Sequence, residues 1–381
     1  MKAEPRVVTL GEVATVQSGF AFKSSQWTES GVPVVKIANV KSGRIDLGSN
    51  QSFVSEADAE KAARFRLKQG DIVIGMTGYV GEVAQVRTNE HLLLNQRVGL
   101  VQIDESKVDR QYLFHLMSGE AFRSEAKGLA YGSAQPNISP SLLHLIEIPL
   151  PPLEEQRAIA ATLGALDDKI ESNRRAVTIA EQLGDALFAA AASESRLLSD
   201  VADITMGSSP KGADLNEDGD GLPFYQGTRD FGVRFPSLRV WTTAPVRTAA
   251  KSDTLMSVRA PVGELNRASA DCCIGRGVAA IHSDTHPSTL YYAMRSSSSA
   301  WDKFQGEGTV FASVNKTDVH GAEIRWVGDG ALFELEDKLR AIDARIESLE
   351  SETQRLTALR DTLLPELLSG RMRVPTEGVA A

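Results

Sequence analysis

"PLPPLEEQRAIAATLGALDDKIESNRR" (residues 149–175) sets a proline run against a long apolar-periodic stretch near the middle of a 381-residue chain. Proline has no N–H to give a ladder, so the run ends a strand. Glu154 and Glu155 then suit the positive end of the helix that opens there. From Ile159, alternating steps of four and three select Ile159, Leu163, Leu166, Ile170, Asn173, Val177, Ala180, Gly184 and Leu187. A second stretch, "LFELEDKLRAIDARIESLESETQRL" (332–356), carries the same seam 176 residues later. It reads Leu335, Leu339, Ile342, Ile346, Leu349, Thr353, Leu356, Arg360 and Leu363. One heptad seam in one register is the pattern of a coiled coil. The two helices are expected to pair, with Asn173 as a polar core position that fixes register at some cost in stability. At 1.5 Å per residue, the seam from 159 to 187 makes a rod of roughly 43 Å, which reads as a spacer between two domains.

Around these helices the chain repeats itself. "LGEVATVQSG" (10–19) returns as "LSDVADITMG" (198–207), and "GVPVVKIANV" (31–40) as "GLPFYQGTRD" (221–230). "GDIVIGMTGYVGE" (70–82) returns as "SDTLMSVRAPVGE" (252–264), and "NQRVGLVQI" (95–103) as "GRGVAAIHS" (275–283). "GSAQPNIS" (132–139) falls on "GTVFASVN" (308–315), and "KIES" (169–172) on "RIES" (345–348). Segments this similar in one order mark a duplication. Each copy reads as a mixed α/β domain of short strands rich in Val, Ile and Gly, closed by one long helix. The expected layout is a first domain at 1–152, a helix at 153–192, a second domain at 193–330, a helix at 331–370 and a flexible tail at 371–381.

Charge and motifs bound the chemistry. The net charge is −9, residues 1–150 are balanced at 16 basic and 16 acidic side chains, and the stretches 151–195, 196–330 and 331–381 are each net acidic. Basic clusters nevertheless stand out: Lys61, Arg64, Arg66 and Lys68 in the first copy, and Arg229, Arg234, Arg239, Arg247, Lys251 and Arg259 in the second. These permit nucleic-acid binding without establishing it. "GMTGYVGE" lacks the Gly-Lys-Ser/Thr of a phosphate-binding loop and reads as a tight turn near a binding surface. The six histidines have no ligand partners at metal-binding spacing, and Asp167-Asp168-Lys169 lies on a helix where charged neighbours are expected. The only cysteines are the adjacent Cys272 and Cys273, and no run approaches 18 apolar residues. A cytoplasmic, non-catalytic protein without a metal is expected.

The stretches "LGEVATVQSGFAFKS", "GVPVVKIANV", "LNQRVGLV", "GSAQPNIS" and "IPLPPLEEQRAIAATLGALDDKI" together resemble the DNA-specificity subunit of type I restriction–modification systems. In the second copy, "GRGVAAI" and "LLPELLSGRMRV" fit the same family, but "IRWVGDGALFELEDKL" lacks the prolines and the Glu-Gln. The resemblance implies two target-recognition domains reading the halves of a bipartite double-stranded DNA site, with the helices as an antiparallel coiled coil that sets the gap. It further implies two modification (methyltransferase) subunits docked on the helices, with restriction–translocation subunits joining them. Methyl donor and ATP then belong to those partners and no cofactor to this chain. A coiled-coil assembly scaffold that does not read DNA is the competing expectation.

By residue chemistry, the expected DNA contacts are polar side chains in the aligned loops. They are Lys36, Asn39, Arg44, Tyr79, Gln135 and Asn137 in the first copy. In the second they are Tyr225, Gln226, Thr228, Arg229, Arg234, Arg259, Asn315 and Lys316. Arg pairs bidentately with guanine and Asn or Gln with adenine, whereas Lys and Thr suit phosphates.

Overall fold

A computed structural model describes residues 6–41, 43–48, 51–132, 135–304 and 313–374. The chain forms two compact units. The first combines residues 1–169 with 355–381, and the second is 170–354. Both long helices are continuous, over Leu153–Ala191 and Asp329–Leu368, so each unit holds one recognition domain and part of both helices. That differs from the expected layout, in which the helices stood as segments of their own. The physical reason is that the helix ends are core material for the domains. Of the expected tail, residues 375–381 lie outside the described residues, as do 308–312 of the last repeat.

The duplication is explicit in the strand order. In unit 1 one sheet runs Ala14–Ser18, Val98–Ile103, Ile72–Gly75, Val83–Gln85, Gly43–Ile45, Val40–Lys41. In unit 2 its counterpart runs Asp203–Met206, Val278–His282, Thr254–Ser257, Leu265–Arg267. The second sheet of unit 1 runs Trp27–Thr28, Phe53–Val54, Val32–Val35, Leu92–Leu94, Arg66–Leu67. Unit 2 answers with Leu215–Asn216, Trp241–Thr242, Leu222–Tyr225, Cys272–Ile274, Thr248–Ala249. In both, the central pair (Val32–Val35 with Leu92–Leu94, Leu222–Tyr225 with Cys272–Ile274) is parallel. The run "IVIG" is apolar throughout because both of its faces are buried. Ile72 and Ile74 enter one core cluster and Val73 enters another. Met256 and Leu255 divide in the same way in unit 2.

The proline stretch seats the central helix. Glu147–Leu150 pairs on one side with Arg6–Thr9, and Tyr112 donates its hydroxyl to Pro149 O at 2.8 Å. Gln156 is buried; its amide donates to Pro151 O at 2.7 Å and accepts from Asp109 N at 2.8 Å. Asp109 in turn caps Arg110–Ser118. The second copy, which lacks this motif, solves the same problem otherwise. Buried Glu336 of the C-terminal helix accepts from Ser288 N at 3.2 Å and Thr289 N at 2.8 Å, satisfying orphan donors at the start of Pro287–Ser296.

Candidate nucleic-acid interface

In both units one turn organises the loops at the end of the sheet that holds Ile72–Gly75 in the first copy and Thr254–Ser257 in the second. In unit 1, Gly75 N donates to Glu82 O at 2.7 Å and Gly81 N to Gly75 O at 3.0 Å. In unit 2, Ser257 N donates to Glu264 O at 2.9 Å and Gly263 N to Ser257 O at 3.0 Å. Gly81 and Gly263 take positive φ, +80° and +87°, and a Cβ on Gly263 would lie 2.6 Å from the Trp301 ring, so the repeat keeps glycine there. The turn is closed from the same direction in each copy, by Thr77 bridging to Asn137 and by Arg259 bridging to Ser313.

On this shared frame the polar side chains differ. In unit 1 Tyr79 is 64% exposed, Gln135 is exposed, and Thr77 donates to the Asn137 amide at 2.7 Å. Asn137 also donates to the Tyr131 hydroxyl at 2.8 Å, so its side chain is oriented by the loop it closes. Lys36 rests its ammonium 4.0 Å above the Trp27 ring, and Arg44 is exposed on Gly43–Ile45. In unit 2 an open concavity gathers Gln226, Thr228, Arg229 and Arg259, four residues chosen from sequence, with Asp230 and Arg239. Arg239 was not chosen. Its only signal was membership in the basic run, and its partner Asp230 lies nine residues away. Lys316 is exposed.

Three expected contacts need correction, and a fourth, Asn315, also has a structural role. Asn39 is fully buried; its amide donates to Asp46 O and accepts from Lys36 N, both at 2.9 Å, so it holds a turn. Tyr225 is buried in a core cluster, and burial pushes its phenol pKa up. Asn315 is exposed, but its side chain caps Lys316–His320 by accepting from Asp318 N at 3.0 Å. Arg234 is fully buried, bound to Asp343 with its guanidinium 3.4 Å from the Tyr291 ring centroid. Arg44 and Arg234 are repeat counterparts, 190 residues apart as are 31–40 and 221–230. Arg44 pairs with Gln85 in the sheet, and Arg234 O accepts from Arg267 N at 2.9 Å. The same backbone position thus faces outward in one copy and inward in the other.

Known proteins resemble this chain along most of its length. A family model described as the type I restriction modification DNA specificity domain matches residues 4–179. The type I restriction enzyme MjaX specificity subunit of Methanocaldococcus jannaschii is 28% identical, aligned over 95% of this chain and 92% of that protein. The MjaVIII specificity subunit of the same organism is 39% identical over 174 residues, 44% of this chain and 41% of that one. The crystal structure of a type I restriction–modification S subunit from M. genitalium shares the fold, with a TM-score of 0.60 at 17% identity over 96% of each chain. Residues 4–179 thus match the type I specificity domain, and nearly the whole chain is similar to a type I specificity subunit.

Within each unit the long helices pair antiparallel. Within unit 1, Arg360 donates to Asp167 at 2.9 Å, and Leu363, Leu364 and Leu367 share a cluster with Ile159 and Leu163. Within unit 2, Asn173 donates to Glu352 at 2.9 Å, and Val177 clusters with Ile346 and Leu349. Leu335 and Leu339 enter the recognition-domain core, so the seam serves both partners at once. Ile170 and Asn173 are buried, and Leu356 is half-buried. Three seam positions are turned aside. Leu166, Ile342 and Leu187 are only half-buried, and the adjacent Asp167, Asp343 and Phe188 take the buried slots. Asp167 and Asp343 are repeat counterparts, and both meet cations. Asp343 binds Arg234 and Arg267, and Asp167 lies 2.9 Å from Arg360 and 3.8 Å from His115. Burial holds His115 down, to a pKa of about 4, against the opposing pull of Asp167. Among the described residues no helix is long and apolar enough to cross a membrane.

Proposed function

We propose that this subunit reads a bipartite, asymmetric double-stranded DNA site, one half with each recognition domain, and docks two methyltransferase subunits, with restriction–translocation subunits joining the assembly. One observation carries this reading: two copies of one backbone frame present different polar sets at the same turn. Tyr79 and Gln135 mark one copy, and Arg229, Arg239 and Arg259 mark the other. Different side chains on equivalent frames are what two unlike half-sites require. The subunit itself is non-catalytic, as specificity subunits are, and methyl transfer and ATP-driven steps reside on the partners with their cofactors. Exposed Ile179 and Leu183, one turn apart on the central helix, suit a docked partner.

Neither recognition-domain stretch, 1–150 or 196–330, is net positive, so much of the backbone attraction must come from the partners. Titration of duplex DNA should therefore give weak, unspecific binding by the isolated chain and site-specific binding once methyltransferase subunits are added. Site-specific binding that never appears, with partners stably assembled, would leave the scaffold reading in its place.

A further inference from the structure

Arg239 is the most firmly held polar side chain of the second-domain concavity. Its Nε and Nη2 both donate to Oδ1 of Asp230, the Nε contact at 3.1 Å. Asp230 is only 3% exposed, and its second oxygen accepts from Gln226 N at 2.7 Å. Its backbone is fixed as well, donating to Gly227 O at 2.9 Å and accepting from Ser237 N at 2.8 Å. The guanidinium is thus anchored along one edge to a carboxylate that cannot swing. The Arg239 side chain remains 40% exposed and lines the concavity beside Arg229 and Arg259.

A guanidinium has five donors in a planar fork. The Asp230 contact uses one edge and leaves the Nη1/Nη2 end free, with donors side by side in a fixed plane. The matching partner presents two acceptors side by side. In the major groove that is guanine, with O6 and N7; adenine places a donor beside N7, and pyrimidines offer no such pair. Phosphate also accepts a fork, but Asp230 cancels the charge of Arg239 and weakens its long-range pull on the backbone. Arg229 and Arg259 have no acidic partner among the described residues and are the better phosphate neutralisers. The first copy has nothing equivalent, because its counterpart of Asp230 is Val40, a buried strand residue.

We propose that Arg239, held in place by Asp230, reads a guanine in the half-site recognised by the second domain. This rests on the reading of the chain as the DNA-reading subunit. The test is methylome sequencing of cells that carry the full chain with its methyltransferase partners, wild type or with Arg239→Ala, Arg239→Lys, Asp230→Asn or Arg259→Ala. A single G·C position in one half-site should become degenerate in both Arg239 variants, with discrimination there falling about 5- to 150-fold. The other half-site should be unchanged, and Asp230→Asn should loosen the same position. Lysine keeps the charge and loses the fork, so it carries the test even where Asp230→Asn fails to fold. Full restoration of the wild-type motif by Arg239→Lys, with a uniform loss in Arg239→Ala, would overturn the assignment in favour of a phosphate contact. An unchanged motif in the Arg239 variants beside a relaxed half-site in Arg259→Ala refutes the guanine reader but leaves the DNA-reading concavity standing. If none of the four changes the motif, the concavity does not read DNA and both readings fail.

Discussion

Replacing Asp343 with alanine strands two guanidinium groups in the interior of the second unit. Arg234 is fully buried and Arg267 is 4% exposed, and both donate to Asp343, one to each oxygen. Arg267 also donates to Ser288 Oγ at 3.2 Å, and Arg234 stacks on Tyr291 and Tyr292, 3.4 and 5.0 Å from their ring centroids. Neither contact neutralises a charge. Burial, followed by the Arg234 charge, already depresses the Arg267 guanidinium to a pKa of about 10. Glu181 approaches Arg234 only to 3.9 Å, so it compensates in part. Removing one partner from a buried ion pair costs about 3–5 kcal/mol. For a unit of this size each kcal/mol moves the midpoint by about 2–4 °C, so the loss is roughly 6–20 °C. The assay is thermal unfolding of the full chain by calorimetry, with Glu347→Ala as the control. Glu347 pairs with Lys251 across an exposed 2.8 Å contact, where about 0–1 kcal/mol is expected. An Asp343→Ala midpoint as close to wild type as that of Glu347→Ala would refute the idea that this carboxylate pins the recognition domain to the helices.

Two glycines of the central helix should respond in opposite directions to alanine. A Cβ at Gly184 would lie 2.3 Å from buried Tyr292, so Gly184→Ala should destabilise by about 1–3 kcal/mol. Gly164 meets nothing within 4 Å, and Gly164→Ala should stabilise by about 0.5–1 kcal/mol in denaturant titration. Glu350 is pushed up to a pKa of about 7, first by burial and then by Glu181. Its folded pKa is therefore above its unfolded value, and the stability linked to its proton is fully present below the ordinary carboxylate range and lost as pH rises through about 7. The difference in stability between Glu350→Gln and wild type should accordingly grow in favour of the variant from about pH 4.5 to 7 and then level off. Where the helices set the gap between half-sites, one heptad added to both lengthens each by about 10 Å, close to three base-pair steps of 3.4 Å. Those steps also turn the second half-site by about 36° each, so the methylome should show a longer gap or no modification, with both half-site sequences retained.

The duplication, the two helices and the strand-ending prolines were legible because each is written in a pattern that backbone physics reads directly: self-similarity, a 3.5-residue period and a missing N–H. The seam was misplaced at Leu166 and Ile342 because hydrophobic period cannot foresee a buried carboxylate. Asp167 and Asp343 hold the neighbouring slots only because cations from elsewhere meet them there. The sites were less legible than the fold. Arg44 and Arg234 occupy the same repeat position, yet one copy extends its sheet with Gly43–Ile45 and the other runs an irregular segment past the helices. Asn39 shows the related failure, since an amide suited to adenine is equally suited to closing a turn. Arg239 was hidden because its value comes from Asp230, and a run of basic residues does not say which one a carboxylate will orient.

The central claim is that each domain reads its own half of the target, and exchange of one domain tests it most directly. Residues 198–327 would be replaced by the second recognition domain of a type I specificity subunit, with both long helices kept and the chain expressed with its methyltransferase partners. The methylated motif is then read across the genome. One half-site should change to that of the donor subunit, while the other half-site and the gap remain as in wild type. A motif unchanged in both halves, or altered in both, would contradict the account.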